Sequence, residues 1–558
     1  MGSGDVAGAR NVRGRVVMLV DNGVNGDSRV QKAARSAADA GWEVVLLGRS
    51  PGGTPQTWQL GRAEVRLLPM PDPLARRRHE FRRAWLRWPL AYPPSGIAAH
   101  RAQAVKAWRA DLAVRAAQLA VADPATPRLA LRRKLLKAEE TAAKLTRTWV
   151  SGRYWMLTRA RKRRRFRNPW DRAYTKFWQT VKGDGAWRRL EPGLWDYELA
   201  YGPVVDALAP DLIHANDFRM LGVAARAKIR AAARGRAIKV VWDAHEFLPG
   251  LKPWQDNARW LPAHRAHERE YAPYADAVMT VSDGLADLLR REHRLVAVPD
   301  VVLNAPAADH GELAPDAPAP DLRALCGVGP DTPLLVYSGA AAKQRGLDVM
   351  VDALPQLPGV HVALVVNKPA GPYVSGVLAR AAKLGVADRV HALPYVAHWQ
   401  VVPFLAAADA GVIPIHHWPN HEIALITKFF EYSHARLPMI VSDVRTMAGT
   451  VRATGQGEVF RAEDVTDYVR AVRAVLADPE RYRAAYDRPG LLETWTWEAQ
   501  ARVLDGVYAR LLPDRPGPLD GGPAGSTAVG GVAAGATGAG GALHPEGPAT
   551  RPAVGAGT

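Results

Sequence analysis

The chain has 558 residues, more than the roughly 250 to 300 that one hydrophobic core organises, so at least two domains are expected. Apolar residues make up 48% and charged residues 23%, a globular composition that excludes a chain disordered throughout or built mainly of membrane spans. The formal charge of +19 is concentrated: residues 76 to 189 hold 30 Lys or Arg against 7 Asp or Glu, which leaves the rest slightly acidic and excludes nucleic-acid binding by the chain as a whole.

A single cysteine, Cys326, rules out an internal disulfide, and no run of about 18 apolar residues is present to span a bilayer. The opening "MGSGDVAGARNVRGRVVMLV" lacks the pattern of a secretion signal, so a cytoplasmic location is expected, with any membrane contact peripheral at its inner face.

In chain order, "RVVMLVDN" (15 to 22) and "EVVLLGR" (43 to 49) read as buried strands. Between them Val30, Ala33, Ala34, Ala37 and Ala38 recur on one helix face, after a turn and cap at Asn25 to Ser28. "DLIHAND" (211 to 217), "AIKVVWDAHE" (237 to 246) and "ADAVMTVSD" (275 to 283) continue the alternation, which predicts a parallel sheet wrapped by helices over residues 14 to 300. After "VVLNAP" and a Pro/Ala-rich linker the pattern restarts with "PLLVYSG", "VHVALVVN", "RVHALPY", "AGVIPI" and "PMIVSD", a second such domain over 301 to 494. The predicted fold class is α/β: two Rossmann-like, doubly wound parallel-sheet domains facing a cleft. Residues 495 to 512 are expected to form a helix packing back on the first domain. Residues 513 to 558, almost without large apolar side chains, are expected to form a disordered tail.

Residues 72 to about 196 break the rhythm and read as a basic helical insertion. Leu74, Phe81, Trp85 and Trp88 fall within a narrow helical arc among arginines, "RARKRRRFR" (159 to 167) is almost wholly basic, and eight of the 18 tryptophans lie between Arg76 and Arg189. Three readings stay open: a solvated subdomain with its aromatics packed inward, a peripheral surface for anionic lipid carried by Arg159 to Arg167 with Trp85 and Trp88, and a nucleic-acid patch, which no motif supports.

Two segments carry candidate chemistry. "YSGAAAKQRGLDV" predicts a strand, a turn at Gly339 and a helix start, with Lys343 and Arg345 adding charge for a phosphate. "ITKFFEYSHA" predicts a helix with Lys428 and Glu431 on one face, directly before a buried strand. An intrahelical ion pair is the competing account.

The pattern "TKFFEYSHARLPMIVSD", with "VWDAHEF", "ADAVMTVSDGLADLL", "VVLNAP" and "YSGAAAKQRGLD" in the same order, resembles the retaining GT-B glycosyltransferases of family 4. The resemblance covers residues 14 to 72 and about 200 to 510. It implies transfer of a sugar from a nucleotide-sugar to a glycan, lipid-linked or cell-envelope acceptor, with no metal or cofactor. It implies a catalytic group of His245 beside the donor sugar and Lys343 and Arg345 on the leaving diphosphate. Donor contacts fall to Glu431 on the ribose, Lys428, Gly339, Glu422, Gly23 and Gly26. The family often has a second Glu eight positions before Glu431, where this chain has Ile423 with Glu422 one residue off, and an Arg where this chain has Ala340. His416, His417 and His421 lack an Asp or Cys at ligand spacing, so no metal site is expected. A nucleotide-sugar epimerase and a non-catalytic scaffold that binds sugar-nucleotide or polysaccharide are the alternative readings.

Overall fold

A computed structural model describes residues 13–70, 91–92, 97–121, 127–163, 169–251, 257–307, 319–423 and 425–514. Two compact units make up the chain. One is built from residues up to 70, 197–252 and from 264 onwards, the other from 71–196 and 253–263.

The first unit contains two sheets. In the first, β1 (Arg15–Leu19), β2 (Glu43–Arg49), β3 (Gln56–Leu60), β4 (Ala63–Leu68), β5 (Leu212–Asn216), β6 (Lys239–Ala244), β7 (Ala277–Thr280) and β8 (Asp300–Val301) lie in the order β3-β4-β2-β1-β5-β6-β7-β8. In the second, β9 (Leu334–Ser338), β10 (His361–Val365), β11 (Val390–Leu393), β12 (Ala410–Ile413), β13 (Met439–Ser442) and β14 (Gly457–Phe460) lie in the order β11-β10-β9-β12-β13-β14. The central strands β1, β5, β9 and β12 are buried along almost their whole length, as strands covered by helices on both faces must be.

The sheets are parallel except that β3 runs antiparallel to β4, a pair the sequence reading passed over. Its signal is alternation: Ala63, Val65 and Leu67 are buried while the residues between them are half-exposed, and Gly61 takes a φ of +59° in the turn. β8 and β14 were also passed over, being two and four residues long.

The helix Trp497–Leu511 packs on the helix Ser28–Asp39 of the first lobe. Trp497 Nε1 donates to Ser36 Oγ (2.8 Å), Arg13 pairs with Asp505 (2.6 Å), and the Tyr508 hydroxyl lies 2.6 Å from His214 Nδ1. Trp497, Leu504, Val507 and Tyr508 thereby join Val16, Met18 and Val30 in one core.

The second unit is helical where it is described, with its longest elements at Ile97–Val121, Pro127–Arg163 and Pro169–Lys182. The first two bury Val105 and Leu112 against Leu136, Ala143, Val150 and Leu157. Trp85, Trp88, residues 164–168 and the tail from 515 lie outside the described residues, so the lipid contacts assigned to Trp85, Trp88 and the end of the Arg159–Arg167 run are not located.

Candidate active site

Chain order reverses once in each sheet, between β1 and β5 in the first and between β9 and β12 in the second. At such a point the loops leaving neighbouring strands diverge and open a crevice at their carboxyl ends. The strand-end loops described below carry the candidate polar residues.

In the second lobe β9 runs into Gly339, whose φ of +135° suits only glycine; a Cβ there would sit 2.7 Å from Lys428 Nζ. The loop continues to Gly346, where a Cβ would meet the Pro414 carbonyl at 1.9 Å, so it lies flat on the end of β12. Lys428, on the helix Thr427–His434, is 8% exposed. Its ammonium stands 3.4 Å from the Tyr337 ring centroid and has no hydrogen-bond acceptor among the described residues. Burial holds Lys428 well below the ordinary lysine range, Arg345 adds repulsion, and Glu431 offsets part of it. Burial also raises the Glu431 carboxyl, against the pull of Lys428 and of Lys32 from the first lobe. Tyr395, pushed up to about 12 mainly by burial, feels both Glu431 and Arg345. Arg345, Lys428 and Glu431 thus share one pocket with Tyr337 and Tyr395.

Two residues named from the sequence sit elsewhere. Lys343 is exposed at the start of the one-turn helix Lys343–Arg345, and no described contact ties it to Glu431. Alternate positions of so tight a turn point apart, so only Arg345 faces the pocket. Glu422 is committed locally: one carboxylate oxygen lies 2.6 Å from His417 Nδ1 and the other accepts from the Arg445 N–H (2.8 Å) at the start of the helix Arg445–Thr454. The three loop histidines do not converge. His416 approaches Glu463 at 3.6 Å, His417 lies between Glu422 and Asp443, and His421 stacks on Trp418 with Nδ1 2.7 Å from the His416 carbonyl oxygen. Burial, and then Arg345, push His421 down to about 4.

In the first lobe the loop after β1 packs Gly23 against Pro51, with 3.0 Å from the Gly23 Cβ position to Pro51 Cγ. Gly26 has a φ of +88° and open space where a side chain would stand. Between them Val24, buried and β-branched, is held at a φ of +66° by its N–H donating to Asn22 Oδ1 (2.8 Å). His245, at the end of β6, turns Nε2 toward the buried Asp243 carboxylate at 3.3 Å. Burial lowers the His245 pKa, but Asp243 outweighs it and the net direction is up. Asp243 also accepts two hydrogen bonds from Arg29, at 3.0 and 2.8 Å. Asp217, after β5 at a φ of +64°, is raised to about 6 by burial against His245, with Asp21 adding to the rise and Arg219, itself paired with Asp21, opposing it.

The lobes meet through named contacts. Lys32 Nζ donates to Asn304 Oδ1 (3.0 Å) and to the Ala305 carbonyl, and stands 4.7 Å from the Trp497 ring centroid. Asn304 Nδ2 donates to Thr427 Oγ1 (3.0 Å) at the start of the helix that carries Glu431. A Cβ on Gly250 would lie 2.7 Å from Asn420 Oδ1, so these loops touch at the rim. Sequence reasoning missed Lys32, Arg29, Asp243, Asp217 and Tyr337. For Asp243 and Asp217 the available signal was a carboxylate within or beside a strongly apolar segment.

Two family models match adjoining parts of the chain: "Glycosyltransferase Family 4" over residues 150–304 and "Glycosyl transferases group 1" over residues 323–488. The chain belongs to glycosyltransferase family 4. This family 4 glycosyltransferase is 25% identical over 323 residues to the D-inositol 3-phosphate glycosyltransferase of Nocardia farcinica, covering 49% of this chain and 70% of that one. It is 27% identical over 310 residues to the GDP-mannose-dependent alpha-(1-6)-phosphatidylinositol monomannoside mannosyltransferase of Mycolicibacterium smegmatis, covering 51% and 72%. Several other relatives are matched over less than half of their length, as with a D-inositol 3-phosphate glycosyltransferase of Xylanimonas cellulosilytica at 46%. The sucrose-phosphate synthase of Thermosynechococcus elongatus superposes with a TM-score of 0.55 at 16% identity, covering 90% of this chain and 99% of that one, which shows that the GT-B fold is shared. As a family 4 glycosyltransferase the chain is a transferase acting on sugars. Among the described residues no helix is long and apolar enough to cross a membrane.

Proposed function

We propose that the protein transfers a sugar from a nucleoside diphosphate sugar to a glycan or lipid-linked acceptor, with retained configuration, at the cytoplasmic face of an anionic membrane. One observation carries the donor half of this reading: the buried Lys428 ammonium has no acceptor among the described residues and feels both Arg345 and Glu431. Burying a lone cation is costly, and two together are worse, unless an anion is to arrive. A diphosphate supplies that charge, and its departure is what the two cations favour, with no metal needed in this scheme. Glu431 offers two acceptor oxygens to the ribose hydroxyls. The leaving phosphate takes the acceptor proton, with His245 beside the sugar.

The lipid part of the reading is supported by the phosphatidylinositol monomannoside for which the mannosyltransferase relative is named and by the basic segment 76 to 189. Glu431→Ala tests the donor site. Calorimetric affinity for a nucleoside diphosphate should fall by about 1 to 3 kcal/mol as a buried charged hydrogen bond is lost, and unchanged affinity would remove the assignment. Slow release of free sugar from the donor supports transfer, interconversion of donors an epimerase, and tight binding with neither a scaffold.

A further inference from the structure

We infer that the helical unit docks on an anionic phospholipid bilayer through an exposed apolar strip on the helix Pro127–Arg163. The inference gives residues to the membrane part of the reading above and does not depend on the donor chemistry. The helix is apolar on two faces. One face, Leu136, Ala143, Val150 and Leu157, is buried. The other is open: Leu131 is 60% exposed, Leu145 69%, Trp149 53%, and Leu135 and Met156 are exposed with them.

Ala138, Ala142 and Gly152, all exposed, fall between these residues, so the eight positions recur at alternating steps of four and three. Such steps keep one face of a helix, and at 1.5 Å per residue the strip runs about 37 Å. Nothing stands within 4 Å of where a Gly152 side chain would begin, which leaves a notch beside Trp149, Trp155 and Met156. The helix Pro169–Lys182 repeats the arrangement on a smaller scale, with Trp170 84%, Phe177 57% and Val181 54% exposed next to Arg172, Lys176 and Lys182.

The charge around the strip selects its occupant. Steps of four and three also suit a coiled coil, so a second copy of the chain is the obvious rival. Yet this helix holds twelve Lys or Arg against two Glu, and Arg132 and Lys134 flank the strip with Glu139, while Arg153 lies over the Tyr92 ring. Pairing two copies would set cation against cation. The same field draws the helix to anionic headgroups, while long Lys and Arg chains reach the phosphates and Trp and Leu enter the interface. Nucleic acid would satisfy the charge but give the Leu, Trp and Met strip no apolar phase to enter.

The test is co-sedimentation of the full chain with vesicles of phosphatidylcholine carrying about a third phosphatidylglycerol, and with phosphatidylcholine alone. The parent is expected to sediment with the first and to stay monomeric. Leu145→Glu with Trp149→Glu is expected to lower that binding at least about tenfold, with the circular dichroism spectrum and nucleoside diphosphate affinity unchanged. Equal sedimentation of variant and parent would overturn the inference, as would a parent dimer that the variant splits without altering lipid binding. A parent that binds vesicles through this strip but binds no nucleotide would refute the donor reading and leave this one intact.

Discussion

Lys428 holds its ammonium 3.4 Å from the centre of the Tyr337 ring, and the position where Gly339 would carry a Cβ lies 2.7 Å from the same nitrogen. The ring face offers a weak attraction. It does not replace the hydrogen bonds that the ammonium gave up on burial.

Lys428→Met should therefore separate stability from binding. Replacing an unpaired buried charge by an apolar chain of similar length is expected to leave thermal stability unchanged or raise it by about 1 kcal/mol. Nucleoside diphosphate affinity should fall about tenfold or more as a charged contact is lost. Calorimetry beside a melting curve gives both numbers, and parental affinity in the variant would show that the ammonium does not meet the donor.

Gly339→Ala disturbs the same contact from the other side. The backbone there has a φ of +135°, and the added methyl would press on Nζ and Cε of Lys428. A loss of about 1 to 3 kcal/mol of stability is expected from the backbone strain, with weaker donor binding because the ammonium is displaced. A variant as stable as the parent would mean that the loop has a second conformation open to it.

Arg29→Ala tests the frame of the first lobe. The guanidinium makes two hydrogen bonds to Asp243, whose side chain is 1% exposed, and removing it leaves a buried carboxylate beside His214 and His245. Breaking one side of such a pair costs about 3 to 5 kcal/mol. Chemical unfolding followed by fluorescence should show the shift, and adding Asp243→Asn should recover part of it.

Asp217→Asn should change the pH dependence of stability. A carboxyl raised from 3.8 to about 6 on folding holds its proton more tightly in the folded chain, so its contribution falls as pH rises from about 4 to 6 and stays lower above. Asn carries no such penalty and tolerates the positive φ of this position. The variant should match the parent near pH 3 and exceed it by about 3 kcal/mol at pH 8. Identical profiles would place the carboxylate in solvent.

The buried strands were legible because each is a short apolar run closed by turn residues, and the chain repeats that unit on both sides of one linker. The second-lobe pocket was legible in part because Lys428 and Glu431 share one helix and Gly339 and Arg345 one loop. What escaped was long-range. Arg29 and Asp243 are 214 residues apart, and nothing in either neighbourhood names the other. Lys32 reads as an ordinary helix-surface lysine, yet the fold sets it under Trp497 and beside Asn304. Lys343 and Arg345 are equivalent in composition, and only the turn decides which one faces inward.

The helix Trp497–Leu511 constrains how the protein can be made. It completes a lobe whose first strand begins at Arg15, through contacts such as Arg13 to Asp505 and Ser36 to Trp497. A ribosome exposes both lobes before that closing piece emerges, so the first lobe waits with an apolar seam uncovered while the second is synthesised. Expression of the first lobe cut after residue 307 would leave that seam permanently open and give an aggregating product; supplying the missing helix as a separate peptide is the rational way to rescue it.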